Sequence, residues 1–424
     1  MSILIKNGQV VLLDKVIKAD VLIEGGLIKK IASKIEVKAD KVIDAKGKVV
    51  MPGLVDMHAH LRDPGYQYKE DIASGIKSAI AGGYTTICCM PNTEPVIDNE
   101  AIVKYIQAKA AEVGSVKVYP IASITKGMKG SELSEMGKLK EAGVIAFSDD
   151  GRPVESAVLM RNALAYAKSH DALVITHCED MSLASGGLVN EGYHATSSGL
   201  KGICRSAEEI IVARDIILAE YTGAKIHIAH VSTAGSVDLV RQAKKRGVRV
   251  TCEVCPHHFS ATDEEIVFFN TSSKINPPLR TPADIKAIIS GIKDGTIDAI
   301  ATDHAPHSQD EKRQEYGYAP FGTIGFESAF AISYTHLVEA KHIDLPHLLR
   351  LMSNSPAKIL GLECGELKEG EAADLIISDI EKEYTIDASS FKSKARNCIF
   401  DCWKVKGRVE CMIVGGEVMW RSII

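Results

Sequence analysis

VVMPGLVDMHAHLRDPG, residues 49–65, is the stretch from which the fold can be read. A short apolar run, Val49 to Val55 with the Pro52-Gly53 turn inside it, ends in His58-Ala59-His60. Alternate side chains of a strand point the same way, so residues 58 and 60 face one target together. Two imidazoles at the end of a buried strand suit a first-row metal such as zinc. HxH alone is a weak signal, because polar residues commonly end strands. It gains weight from four later strand ends that carry the same kind of residue.

Outward from this stretch the chain repeats a short apolar strand, a loop and an amphipathic helix. The strand candidates are GLVDMHAH (53–60), TTICCM (85–90), VKVYPIAS (116–123) and GVIAFSDD (143–150). They continue with ALVITHC (172–178), AKIHIAHV (224–231), VRVTCEVC (248–255) and IDAIATDHA (297–305). Between them Ile72, Ile76 and Ile80 recur every fourth residue after Lys69-Glu70-Asp71, with acidic residues suited to a first helical turn. Ile210, Ala213, Ile217 and Ala219 predict another apolar stripe, and Leu239 and Val240 fall in a helix ending at Arg246-Gly247. Eight such units within residues 53–364 predict a (β/α)8 TIM barrel, with a doubly wound open sheet as the alternative.

The two ends have another texture. Residues 1–52 read as short strands punctuated by Asn7-Gly8, Gly25-Gly26 and Lys46-Gly47, and residues 365–424 as strands with a Gly415-Gly416 turn. Neither end makes a core alone; together they predict one small β-sandwich domain built from both termini.

Composition narrows the function. A chain of 424 residues with 46% apolar residues buries a large core, and a net charge of -5 argues against a general nucleic-acid binder. No signal-like segment opens the sequence and no apolar run of membrane-spanning length occurs, so the expectation is a cytoplasmic protein without membrane attachment. The ten cysteines are scattered through apolar runs, as reduced buried thiols are. Cys252 and Cys255 form a CxxC, but the pair lies in a strand with no second pair to make a zinc ribbon, so structural thiols are expected.

The barrel expectation places chemistry at the C-terminal ends of its strands. Strand one ends in His58 and His60, strand four in Asp149-Asp150, strand five in His177, strand six in His230 and strand eight in Asp303. Four imidazoles and two carboxylates at one mouth are a two-metal inventory, since a carboxylate can bridge two cations. Alternation says only that Asp149 and Asp150 point apart.

These residues sit in the motifs PGLVDMHAHLRDPG (52–65), GGYTTICCMPNTEP (82–95), FSDDG (147–151), THCED (176–180), AHVST (229–233), INPPLR (275–280), ATDHAPH (301–307) and APFGTIGFE (319–327). Along its whole length the chain resembles the longer bacterial dihydroorotases of the amidohydrolase superfamily. The resemblance implies that His58, His60 and Asp303 bind one zinc, that His177 and His230 bind a second, and that Asp150 and a hydroxide bridge the two. Many superfamily members, hydantoinases and many allantoinases among them, bridge their metals with a carboxylated lysine. The aspartate of FSDDG is similar to the dihydroorotase pattern instead. The same resemblance implies that Arg62, Asn92 and His307 hold the substrate carboxylate and that Asn276 contacts the pyrimidine ring. It differs from the commoner LREPG in having Asp63, which leaves Arg62 in place.

The implied reaction is reversible cyclisation of N-carbamoyl-L-aspartate to L-dihydroorotate in pyrimidine synthesis. Hydroxide is its nucleophile in the hydrolytic direction, and Asp303 is the general acid and base. Another cyclic amidase, such as an allantoinase or dihydropyrimidinase, is the nearest rival, and a non-catalytic partner of aspartate transcarbamoylase is a rival of another class. A homodimer, and association with aspartate transcarbamoylase, are expected from the family alone. Two long loops, SGGLVNEGYHATSSGLKG after strand five and SQDEKRQEYGYAPFG after strand eight, are candidate lids.

Overall fold

The computed structural model describes residues 1–421. The chain opens with β1 (Ser2–Val11), β2 (Val16–Glu24), β3 (Leu27–Ala32), β4 (Lys41–Asp44) and β5 (Val49–Pro52). Next come β6 (Leu54–Ala59), β7 (Tyr84–Cys89), β8 (Lys117–Pro120), β9 (Ala146–Ser148) and β10 (Leu173–Thr176). A small pair, β11 (Val189–Asn190) and β12 (Gly202–Ile203), precedes β13 (Ile226–Ile228), β14 (Val250–Val254) and β15 (Ala299–Ile300). The chain closes with β16 (Leu375–Asp379), β17 (Tyr384–Thr385), β18 (Lys404–Val405), β19 (Arg408–Val414) and β20 (Glu417–Arg421).

Both ends of the chain join one eight-stranded sheet, ordered β20-β19-β16-β5-β1-β2-β3 with β4 on β1. The union is made where β5, from the N-terminal part, pairs antiparallel with β16, from the C-terminal part. Ile3, Ile5, Val21 and Ile23 share an apolar cluster with Leu375, Ile377 and Ile413. Alternation turns Leu4 and Leu22 to a separate cluster with Ile35.

All pairing within the middle set is parallel. One sheet runs β6-β7-β8, another β15-β14-β13-β10-β9. Isolated parallel bridges connect them at both sides, Ala122 to Phe147 beside β8 and β9, and Ala59 to His304 beyond β6 and β15. The second contact is secured by His60 N–H donating to His304 O at 2.9 Å. The pairing therefore returns to its starting strand. Val55, Met57, Cys88, Ile121, Leu173 and Ile175 form one apolar cluster, while Leu54, Ile87, Val174 and Ile226 pack with helix residues such as Ile72 and Ile76. Each strand thus feeds two layers, as the near-continuous apolar runs required.

The helices begin where side chains cap them. Asp71 accepts from Ser74 N–H to start the helix Ile72–Gly82, where the sequence placed it. The helix Ser206–Thr222 corrects the expected stripe: Ala219 is buried as expected, but Ile210 and Ile217 are exposed, and Ile211, Val212 and Ile216 are buried instead. Apolar residues lie on both sides of this helix, so periodicity left its rotation open. Two buried carboxylates fix it: Glu208 accepts from Ser232 N–H at 3.0 Å and Asp215 from Thr176 Oγ1 at 2.7 Å. Among the described residues no helix is long and apolar enough to cross a membrane.

The approach of Ile72–Gly82 to the helix Phe326–Ser333 depends on a glycine. A Cβ on Gly82 would stand 2.1 Å from Phe326 O, and backbone cannot swing aside as a side-chain end can. Gly82→Ala is expected to lower stability by about 1–3 kcal/mol, the usual cost of overpacking. Urea denaturation checks this, and an unchanged midpoint would mean that the two helices part without cost.

Candidate metal centre

The histidines and carboxylates expected at the strand ends converge. His58 lies in the last turn of pairing of β6, and the other five follow the last residue of their strands by one to three positions. Pairing of β6 with β7 shifts register between Asp56 and Ala59. That irregularity re-aims the strand end, as bulges beside sites do. Beyond it His58 and His60 approach the same Asp303 oxygen, with Nε2 to Oδ1 distances of 3.6 and 3.1 Å.

Asp150 occupies the middle. Its Oδ1 is 3.3 Å from His58 Nε2, 3.6 Å from His230 Nε2 and 3.8 Å from His177 Nδ1, while Oδ2 is 3.5 Å from His60 Nε2. The two oxygens of one carboxylate therefore address different imidazoles. Asp149 points away: its Oδ1 accepts from Ile124 and Thr125 N–H at 2.8 and 3.1 Å, and Oδ2 from Thr125 Oγ1. The choice that alternation left open is made by these backbone donors. Burial pushes the Asp149 carboxyl up to about 6.

The donor set fits a metal. His58 Nε2 and Asp150 Oδ1 are buried and have no hydrogen-bond partner. Two triads, His58-His60-Asp303 and His58-Asp150-His230, keep their donor atoms within 4.8 Å of one another. His177 stands at the edge of the second triad, its Nδ1 2.9 Å from His230 Nε2. Burial disfavours charge on Asp150 and Asp303, but the surrounding imidazoles outweigh it and hold both carboxyls below the usual range. Burial likewise opposes charge on His58, yet Asp150 and Glu253 draw it toward the protonated form. The centre calls for positive charge, which a cation supplies as well as protons do.

Two carboxylates that the sequence reading passed over hold the imidazoles in place. Glu253 on β14 is fully buried, with Oε1 2.6 Å from His58 Nδ1 and Oε2 3.3 Å from His227 Nε2. Burial would raise its carboxyl, but His58 and His227 bring it down to about 2. Glu179 Oε2 is 3.3 Å from His177 Nε2 and accepts from Asn276 Nδ2 at 3.0 Å. The available signal was a lone carboxylate inside the apolar strand VTCEV, and one two residues past His177 in THCED.

The expected substrate residues line the same cavity, of about 230 Å³, with His60, Asp150, His177, His230, Asp303, Phe321 and Gly322. Arg62 is anchored by Nε donating to Pro306 O at 3.2 Å, and its Nη2 stands 3.4 Å from His307 Nε2. Asn92 Oδ1 is 2.9 Å from His60 Nδ1, so this side chain orients a candidate metal ligand from the substrate side. His307 donates Nε2–H to Phe321 O at 2.8 Å and accepts from Lys69 Nζ at Nδ1, 3.3 Å away. Burial and then Arg62 and Lys69 push its imidazole far down, so it is neutral. Arg62, His230 and Asp303 have positive φ values of 59, 34 and 46°. Such non-glycine conformations cost of order 1–3 kcal/mol each and collect where function requires a set geometry.

Known proteins share this architecture and sequence. The family described as Dihydro-orotase-like matches residues 47–236. A dihydroorotase of Acetivibrio thermocellus is 55% identical over 403 residues, covering 95% of each chain. One of Ruminiclostridium cellulolyticum is 53% identical over 426 residues, covering 100% of this chain and 99% of the relative. Among solved structures, the L-hydantoinase (dihydropyrimidinase) of Arthrobacter aurescens superposes with a TM-score of 0.89 at 25% identity, covering 100% of this chain and 97% of that one.

The fixed pair of Glu253 with His58 generates a prediction. Glu253→Gln keeps the shape and removes the charge that orients Nδ1. Partners of this kind are typically worth 10- to 100-fold in metal affinity. Competition with a graded chelator is expected to show a loss in about that range. Parental affinity in the variant would mean that packing alone holds the ring.

Proposed function

The chain belongs to the dihydroorotase family, and on that premise we propose that its cavity closes N-carbamoyl-L-aspartate to L-dihydroorotate, and reopens it, around two zinc ions. The activity is that of a hydrolase of cyclic amide C–N bonds. In our reading the ring of parallel strands is a (β/α)8 barrel over residues 53–364, and residues 1–52 and 365–424 are one β-sandwich domain. The closing bridges between the parallel sheets and the shared terminal sheet support that division.

The observation that carries the metal assignment is the position of Asp150, one oxygen toward His58 and His230 and the other toward His60. We assign His58, His60 and Asp303 to one zinc, His177 and His230 to the second, and Asp150 to both. Zinc held there supplies Lewis acidity toward a carbonyl oxygen and a water of lowered pKa. The chain supplies the rest. Arg62, half-buried in the cavity wall, offers a permanent planar cation to the substrate carboxylate. Asn276, steadied by Glu179, would meet the ring, and His307, with Nε2 3.4 Å from Arg62 Nη2, would complete the carboxylate pocket.

Asp303 moves the proton. Held ionised beside His60, it takes the proton of the attacking water and returns it to the departing amide nitrogen. In cyclisation it takes the proton from the carbamoyl nitrogen and delivers it to the departing carboxylate oxygen, which leaves as hydroxide and takes a second proton from solvent to become water.

Turnover by purified protein, with zinc counted per chain, tests the substrate assignment. Dihydrouracil lacks the carboxylate that Arg62 would pair with, and a buried charge left alone costs about 2 kcal/mol or more. Dihydroorotate is therefore expected to exceed dihydrouracil by at least ~30-fold in kcat/KM. Equal or better turnover of dihydrouracil or allantoin would reverse the assignment.

Asp303→Asn separates ligation from proton transfer. An amide cannot accept and return a proton, so the variant is expected to lose at least ~100-fold in turnover with its metal content intact. Recovery of more than about a tenth of parental turnover on zinc loading would leave Asp303 as a ligand only.

A further inference from the structure

A third group of close donor atoms among the described residues lies outside the residues assigned above. Cys255, His257 and His258 are all buried, and their candidate donor atoms stand within 4.8 Å of one another. They sit where β14 ends and the short helix Pro256–Ser260 begins. The CxxC divides here: Cys252 Sγ lies 3.4 Å from Thr296 O, whereas Cys255 shares its surroundings with the two imidazoles.

The nitrogen atoms are prepared as ligands. His258 Nε2 is 2.9 Å from Pro277 O, and a carbonyl only accepts, so Nε2 carries the proton and Nδ1 presents its lone pair. A backbone carbonyl fixing one ring nitrogen so that the other is free is how metal-bound imidazoles are commonly oriented. That Nδ1 is buried without a hydrogen-bond partner, and so is His257 Nε2. Burial, followed by its neighbour, disfavours the imidazolium of His257, and burial brings His258 down to about 4, so both rings are neutral at pH 7. Orphaned buried nitrogens are uncommon and call for an explanation such as an ion.

We propose that Cys255, His257 and His258 hold a further metal ion, of the thiophilic class to which zinc belongs, separate from the carboxylate-bearing centre. A thiolate and two imidazoles are a borderline-soft set, unlike the histidine-carboxylate set next to it. Binding breaks the Cys255 S–H bond, forms the sulfur–metal bond and releases the proton to solvent. Burial and the carboxylates of Asp303 and Glu253 push the Cys255 thiol up, so thiolate forms there only with a cation to accompany it. The inference does not depend on which reaction the enzyme catalyses.

Cobalt reads the site directly. None of the six residues assigned to the zinc pair is a cysteine, so thiolate-to-cobalt charge-transfer absorption reports this site alone. The full-length protein is stripped with chelator and titrated with Co(II). The expected result is a thiolate band in the parent and in Cys252→Ser, lost in Cys255→Ser with one metal fewer per chain. No thiolate band in the parent at saturating Co(II), or an undiminished band in Cys255→Ser, would overturn the proposal. Should Cys255→Ser fail to fold, zinc-edge X-ray absorption of the parent decides: a sulfur scatterer in the zinc shell supports the site, and its absence refutes it. Failure to turn over dihydroorotate would count against the reaction and leave the band unaffected.

Discussion

A carboxylate buried among imidazoles is the constraint on which the rest of the structure depends. Removing Asp150 from water is costly unless positive charge stands within a few ångströms. His58, His60, His177 and His230 surround it from three different strand ends, where a bound cation would supply that charge. Each of these rings must in turn be held. His58 is fixed by Glu253, His177 by Glu179 and His60 by Asn92. Around the central charges stands a second circle of polar groups, with a buried apolar cluster beside it. The hierarchy explains why so many ionisable groups are buried at the strand ends, next to apolar neighbours such as Val55, Met57 and Ile175.

The backbone carries part of the cost. His230 and Asp303, two and three positions past their strands, adopt positive φ, a conformation that collects where function requires a set geometry. The His60 N–H to His304 O bond ties the first and last strand ends together at the same level. His304 is itself held by Gly325 N–H at 3.2 Å and stacks on Phe326 at 4.1 Å between centroids. Closing the ring and building the centre are therefore one structural event.

The loop after β15 is fastened differently. Lys274 Nζ donates to Tyr316 O and Gly317 O at 2.8 and 3.0 Å, and Lys312 Nζ to Thr271 O and Pro320 O, both at 2.8 Å. Among the described residues no carboxylate forms an ion pair with either of these buried ammonium groups, which are bonded to backbone carbonyls instead. Burial, then Lys274, brings Lys312 down to about 7. This loop delivers Phe321 and Gly322 to the cavity, whereas residues 185–202, past His177 after β10, fold into β11 and β12 and are not among the cavity's lining residues. Of the two long loops, only the later one reaches the candidate centre.

Residue order alone determined the repeat of strand and helix, the union of the two termini and the residue types at the strand ends, because these follow from short-range periodicity and from where apolar runs stop. HxH, FSDDG, THCED, AHVST and ATDHAPH each mark a strand end without reference to any other. Tertiary structure decided what depends on partners distant in the chain. Asp150 rather than Asp149 joins the centre because Ile124 and Thr125 claim Asp149. Ile211 and Ile216 rather than Ile210 and Ile217 are buried because Glu208 and Asp215 set the rotation of their helix. Glu253 reaches His58 across 195 positions, and Cys255 leaves Cys252 for two histidines. A side chain's direction within its own element is local, but what it meets there is fixed only when the strands close on one another.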